Sequence, residues 1–145
     1  MTIRFVYQND KKEIQFVTRK VNEERVKPKK GFNLIAINKG SGILDKDGAE
    51  VFEGDIFLPR SGPYSEYSHF DPSFIRFDSH YAAFRLVGSE DEDGKEMNKY
   101  VYNTYMKIAG NIYESIDLLT VMEDGEDHSG WMKSQARLMS KKSLA

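Results

Sequence analysis

Two tight turns stand six residues apart in the segment LDKDGAEVFEGDIF, residues 44–57, and they constrain the fold more than any other feature. Asp47-Gly48 lies between strand-like flanks, Leu44 on one side and Val51-Phe52 on the other. Asp-Gly is the best short-range hairpin cue, because these two residues tolerate positive φ most easily. Glu53-Gly54-Asp55 then turns the chain again before Ile56, Phe57 and Leu58. Two turns so close leave a short strand between them. Short, strongly bent strands are the material of small β-barrels.

The flanking sequence predicts more strands. Ile3, Phe5 and Tyr7 alternate with polar residues, Asn9-Asp10-Lys11-Lys12 supplies a turn, and Ile14 and Phe16 resume; this is a hairpin pattern. Residues 19–31 are charged, and Pro28 opposes a continued helix. In FNLIAINKGSG, Phe32, Leu34 and Ala36 alternate with Ile35 and Ile37, a pattern for a strand buried on both faces. Phe74 and Arg76 alternate with Ile75 and Phe77, and a turn at Asp78-Ser79-His80 leads to a return strand over 81–87. Tyr100 and Tyr102 begin a further alternating stretch. Near the end, Trp131, Ala136 and Leu138 or Met139 mark a short amphipathic helix. The expected fold is mostly β and barrel-like, with a short C-terminal helix, and 12% aromatic residues favour strands as well.

At 145 residues the chain fits one domain with a small appendage. The absence of cysteine excludes disulfide, thiolate–zinc, iron–sulfur and cysteine-nucleophile chemistry. The first residues lack the apolar core of a signal peptide, and no apolar run reaches the roughly 18 to 20 residues of a membrane span, so a cytoplasmic protein is expected. Charge is segregated. Residues 1–60 carry twelve Lys/Arg against nine Asp/Glu, residues 61–130 five against fourteen, and residues 131–145 four against none. That distribution does not suit neutralisation of DNA along the whole chain, although it allows a local basic patch.

Chemical motifs are sparse. Asp45 and Asp47 match two positions of a calcium loop, but Gly48 falls two residues early. A catalytic pair drawn from Asp45, Asp47, Glu50, Glu53 and Asp55 requires sheltered carboxyls with separated pKa values, whereas turn residues are expected in water. His69, His80 and His128 lie in three loops without zinc-ligand spacing. No serine elbow, dinucleotide fingerprint or phosphate-binding loop is present. No metal or cofactor is expected.

Binding features are more evident. The Pro/Gly/Ser loop near residues 59–69 carries Tyr64 and Tyr67, with Arg60 and Arg76 nearby in sequence. Tyr and Arg anchor protein interfaces, and on a small barrel they also form a stacking platform for single-stranded nucleic acid. Glu90, Asp91, Glu92 and Asp93 form an acidic tip suited to a basic partner. Trp131, Lys133 and Arg137 lie in the basic C-terminal segment.

The segment LDKDGAEVFEGDIF resembles a signature of the YopX family of phage and prophage proteins, which reads approximately D-K-N-G-K-E-I-Y-E-G-D-I-V. A second family signature, approximately G-N-I-Y-E-N-P-E-L-L, resembles AGNIYESIDLL at residues 109–119. The strand segment FIRFDSHYAAFRL lies between them, and the N-terminal IRFVYQNDKKE resembles the family start loosely. Asp47 replaces the family Asn, and Ser115-Ile116-Asp117 replaces Asn-Pro-Glu. The resemblance spans 1–119, leaving 120–145 as an acidic loop and basic helical tail. It implies a mostly-β fold, phage origin and no established catalytic role. It also implies a signature made of turns and core: Gly48 and Gly54 set backbone conformation, and Val51, Phe52, Ile56, Ile112, Tyr113 and Leu118 pack. Asp45, Glu53 and Asp55 bind backbone N–H groups. Asp47, Gly110, Asn111 and Glu114 complete the two motifs.

The functional expectation is a non-catalytic binding protein, homo-oligomeric, that docks on a host or phage protein. The alternative is a nucleic-acid-binding module using Lys27, Lys29, Lys30, Lys133, Arg137, Lys141 and Lys142. A hydrolase built on the 45–55 carboxylates is the third reading.

Overall fold

The structure is a computed structural model that describes residues 1–24, 26–58, 72–88, 95–96, 103 and 106–142. Three antiparallel sheets account for the strands among the described residues. The first has four strands in the order β2-β1-β3-β4: β1 (Thr2–Gln8), β2 (Ile14–Lys20), β3 (Asn33–Leu44) and β4 (Glu50–Phe52). The second runs β8-β7-β6-β5-β9: β5 (Asp55–Phe57), β6 (Ser73–Asp78), β7 (Ala83–Val87), β8 (Lys95–Glu96) and β9 (Gly110–Asn111). A 3₁₀ turn at Ile116–Leu119 leads to a small hairpin, β10 (Met122–Glu123) and β11 (Glu126–Asp127), and then to α1 (Gly130–Lys142). Mostly-β holds, but among the described residues no barrel closes: the two larger sheets are open. The double turn explains this. β4 pairs with β3 in one sheet, Gly54 reverses the chain, and β5 pairs with β6 and β9 in the other. The bent segment passes between sheets instead of closing one.

The N-terminal hairpin forms as its alternation predicts, with Gln8 opposite Ile14 and Thr2 opposite Lys20. Asn9 fixes the turn by accepting the Lys11 and Glu13 N–H groups on its side-chain oxygen. β2 and β3 both run antiparallel to β1 and are therefore parallel to each other. Parallel strands need a crossover, and the charged segment 21–32 supplies it. Lys29 N–H donates to Gln15 Oε1 at 3.0 Å and ties the crossover to β2. The β3 alternation differs from the sequence expectation. Ala36 pairs with Val6 and Leu34 with Tyr7, so Ile35 is an extra residue at a bulge. The inward side chains are Ala36 and Asn38, both fully buried.

Both faces of the second sheet are covered. On one side Val51, Phe57, Ile75, Leu86 and Met106 pack together. On the other, Ile56, Phe74, Val87, Ile112 and Leu119 pack with Met132, Ala136 and Met139 of α1. The i, i+4, i+7 spacing of those three places them on one helix face. Leu138, a sequence candidate for that face, is 46% exposed, and Met139 is buried instead.

Candidate functional site

The two motifs that carry the family resemblance are adjacent in space. β5 pairs with β9, placing Asp55 opposite Asn111 and Ile56 opposite Gly110. Gly54 joins three elements: its N–H donates to the Ile75 carbonyl at 2.8 Å, and its carbonyl accepts the Ile112 N–H at 2.9 Å. Its φ of +88° and a close approach by Tyr113 leave little room for a side chain. Asn111 Oδ1 accepts the N–H groups of Tyr113 and Glu114, and Glu114 Oε1 accepts Asn111 Nδ2 in return. Gly110 is crowded rather than twisted, because a Cβ there would lie 2.9 Å from Leu118 Cδ1 and 3.0 Å from Ser115 Cβ.

Two of the clustered carboxylates are buried, contrary to the expectation that turn acids sit in water. Asp45 is 4% exposed and Asp55 is 1% exposed. Asp45 Oδ1 accepts the Asp47 and Ala49 N–H groups and closes its own turn. Its Oδ2 reaches the Ile108 N–H at 3.1 Å, sixty-three positions away. Burial pulls the Asp45 carboxyl up, but its three backbone donors and Lys107 outweigh that and hold it below its ordinary value. Glu53 Oε1 accepts the Lys39 N–H across the sheet, and burial raises its pKa. Asp47 is exposed beside Lys107 at 3.4 Å. These acids are dispersed among separate backbone partners. No group of three or more His, Asp or Glu side chains among the described residues is placed to hold a metal ion.

Asp55 belongs to a buried polar seam that sequence reasoning missed. Arg4 Nη1 donates to Asp55 Oδ1 at 2.7 Å, Nε to Asn38 Oδ1 at 3.0 Å, and Nη2 to the Glu53 carbonyl at 3.0 Å. Asp55 Oδ2 takes the Phe52 N–H, and Asn38 Nδ2 donates to the Tyr113 hydroxyl at 2.7 Å. The guanidinium lies over the rings of Phe16 and Phe52. Burial pushes the Asp55 carboxyl up, while Arg4 and the Phe52 N–H pull against it. No buried side-chain nitrogen or oxygen among the described residues lacks a partner. The seam is thus satisfied from within and joins the sheets. An Arg at position 4 of an alternating strand reads as an outward residue, and nothing beside it in sequence signals its burial.

Beside the seam lies a cleft of about 300 Å³, lined by Gln8, Ile35, Ile112, Tyr113, Ile116, Ala136 and Arg137. β1, the β3 bulge, the segment after β9 and α1 each contribute. The floor is aliphatic, and the polar lining is Gln8, Arg137 and the Tyr113 hydroxyl already engaged by Asn38. Arg137 is exposed. The strand registers place more cations at this end. Gln8 pairs with both Ile14 and Asn33. The turn holding Lys11 and Lys12 and the last part of the crossover, holding Lys29 and Lys30, therefore lie at the same end of the strands, with Lys27 preceding them on the crossover. All five lysines are exposed, with Asp10 and Glu13 as acids of that turn.

The other sequence candidates separate. Arg76 pairs with Asp78 at 3.5 Å on β6. Trp131 packs against the core. Lys133 donates to Thr120 Oγ1 at 2.6 Å and pairs with Asp127 at 3.4 Å, so it braces the β10–β11 hairpin against α1. Arg60, Tyr64, Tyr67, Glu90, Asp91, Glu92 and Asp93 lie outside the described residues, as do the side chains of Lys141 and Lys142. Of the residues proposed from sequence for partner contact, Arg137 is the one that lines the cleft.

A protein-family model described as YopX protein matches residues 2–120. No curated protein matches the chain. The matched span covers both larger sheets and the paired motifs. α1, which forms one wall of the cleft, lies beyond it.

Proposed function

The chain belongs to the YopX family, and on that premise we propose that it is a small phage- or prophage-encoded binding protein without catalysis, acting in the host cytoplasm by docking on a host or phage protein. The family signature is consumed in holding two sheets together, through the β5–β9 pairing and the carboxylates bound to backbone N–H groups. What is left for function is a surface. The observation that carries the reading is a largely aliphatic cleft lined by the exposed Arg137 and by Gln8, the β1 residue at the strand end where the Lys11–Lys12 turn and the Lys29–Lys30 segment meet the sheet. An apolar pocket with a cationic rim suits protein recognition, with the pocket supplying anchor energy and the rim orientation and on-rate.

Affinity capture from transformed host cells tests it, using the wild-type chain beside a Lys27→Glu/Lys29→Glu/Lys30→Glu variant. The expected result is a protein captured by the first and lost by the second. Recovery of nucleic acid alone overturns the reading.

A second reading, a nucleic-acid-binding accessory module, is favoured by the same lysine edge. It predicts a gel shift that weakens steeply with salt. Tyr113 is the one aromatic among the lining residues and its ring already packs edge-on with Phe16, which offers little of the stacking surface by which single-stranded nucleic acid binds.

A further inference from the structure

We propose that the cleft takes an acidic–aliphatic peptide segment of the partner, with an aliphatic side chain on the Ile35, Ile112, Ile116 and Ala136 floor and an adjacent carboxylate on Arg137. This rests on the protein-docking reading above and specifies its ligand. Three observations lead to it.

The apolar lining is three isoleucines and one alanine, with Tyr113 beside them. A volume of about 300 Å³ lies at the lower end of ligand pockets, which run from about 300 to 1,000 Å³. That space accepts an anchor side chain and not a large cofactor.

Arg137 lines the cleft one position after the buried Ala136. The neighbouring cation of α1, Lys133, is committed to Thr120 and Asp127. Arg137 makes no ion pair with a described residue and presents a planar fork of donors, the geometry that carboxylates match. Gln8, on the facing strand, adds a neutral amide.

The charge around the site has one sign in excess. At the Gln8 end of the strands the exposed Lys11, Lys12, Lys29 and Lys30, with Lys27 just before them on the crossover, stand against Asp10 and Glu13. Two acids adjoin lining residues in sequence: Glu114 beside Tyr113, whose carboxylate accepts Asn111 Nδ2, and Asp117 beside Ile116, whose carboxylate lies 4.0 Å from Lys133 Nζ. A segment with several carboxylates around its aliphatic anchor complements both parts of this surface, whereas a neutral apolar segment leaves the rim unused.

Capped peptides titrated into the ¹⁵N-labelled full chain test the proposal by amide chemical-shift mapping. The acidic–aliphatic probe is Glu-Asp-Leu-Leu-Asp-Glu. One control replaces its acids by Gln and Asn, and the other replaces both leucines by serine. The first probe should shift Ile35, Ile112, Ile116 and Ala136, and both controls should bind at least about tenfold more weakly, as expected for loss of a charge-assisted hydrogen bond or of the buried anchor. Arg137→Gln, at an exposed position, should weaken the first probe by a similar factor and leave the melting temperature unchanged. Equal binding of the neutral peptide, shifts elsewhere, no shifts at millimolar probe, or an unaffected Arg137→Gln variant overturns the proposal. So does movement of the same resonances with protein concentration alone, which assigns the cleft to a second copy of the chain. If a captured partner is lost by the triple lysine variant but kept by Arg137→Gln, the docking reading stands and the cleft assignment falls.

Discussion

Arg4 Nη1 reaches Asp55 Oδ1 at 2.7 Å across fifty-one positions of sequence, with both side chains almost wholly buried. The pair sits where β1 of one sheet meets the Gly54 turn into the other, so it reports on the contact between the sheets. Removing one partner leaves a charge buried without compensation, which costs about 3–5 kcal/mol. Arg4→Met should lower stability by that amount in urea unfolding. The double variant Arg4→Met/Asp55→Leu should recover much of the loss, because replacing a buried pair by apolar groups is often neutral. Additive losses in the double-mutant cycle would mean that the two side chains are not coupled.

Asp45 offers a test of the signature as a folding element. Asp45→Ala strips acceptors from the N–H groups of Asp47, Ala49 and Ile108. At about 1 kcal/mol for each lost bond, the cost is about 2–3 kcal/mol. A carboxylate used for catalysis would instead leave the melting temperature intact when replaced.

The same residue predicts a pH dependence. The folded pKa of Asp45 lies below its ordinary value of 3.8. Its linked stabilisation is therefore complete above the unfolded value and is lost as the pH falls through the lowered folded value. Asp55 has the opposite sign: its raised folded pKa gives a contribution present below the ordinary value and lost as pH rises through the folded one. Unfolding curves of Asp45→Asn between pH 2 and 5 should show a shallower acid limb than wild type, a range set by the roughly 3.9 reference value of Asp. A steeper limb contradicts the assignment.

Gly48 and Gly54 both adopt positive φ, at +84° and +88°, but only Gly54 has neighbours near a built Cβ, with Tyr113 at 3.3 Å and Ile112 at 3.4 Å. Alanine at Gly48 should cost about 1 kcal/mol from backbone strain alone. Alanine at Gly54 should cost more, because Tyr113 and Ile112 must also shift. Thermal unfolding of the two variants gives the order directly, and a reversed order rejects the packing account.

Met132 checks whether α1 is integral. It is fully buried in the cluster with Ile56, Phe74 and Leu119. Met132→Ala should destabilise the whole domain by about 2–5 kcal/mol, the range for a large-to-small core change. If only the helix signal melts early and the sheets do not, α1 is an appendage.

The strands were legible because alternation and Asp-Gly turns act locally. The N-terminal hairpin, the 73–87 hairpin and the double turn all follow from them. Family membership was legible for the same reason, in residues 44–57 and 109–119. The Ile35 bulge was not, since a one-residue register slip preserves the composition of the strand. Nor was the burial of Asp45 and Asp55, whose distant partners Ile108 and Arg4 leave no mark beside them in sequence.

The order of residues was enough to mark which segments extend, where the chain reverses and that no cysteine chemistry is available, all consequences of short-range sterics and composition. It took the folded arrangement to show that the sheets stay open among the described residues, that the two motifs pair, and that Arg137 of α1 and Gln8 of β1 line one cleft. Those outcomes depend on which buried surfaces and polar groups satisfy one another across the folded chain, and that is a property of packing in three dimensions.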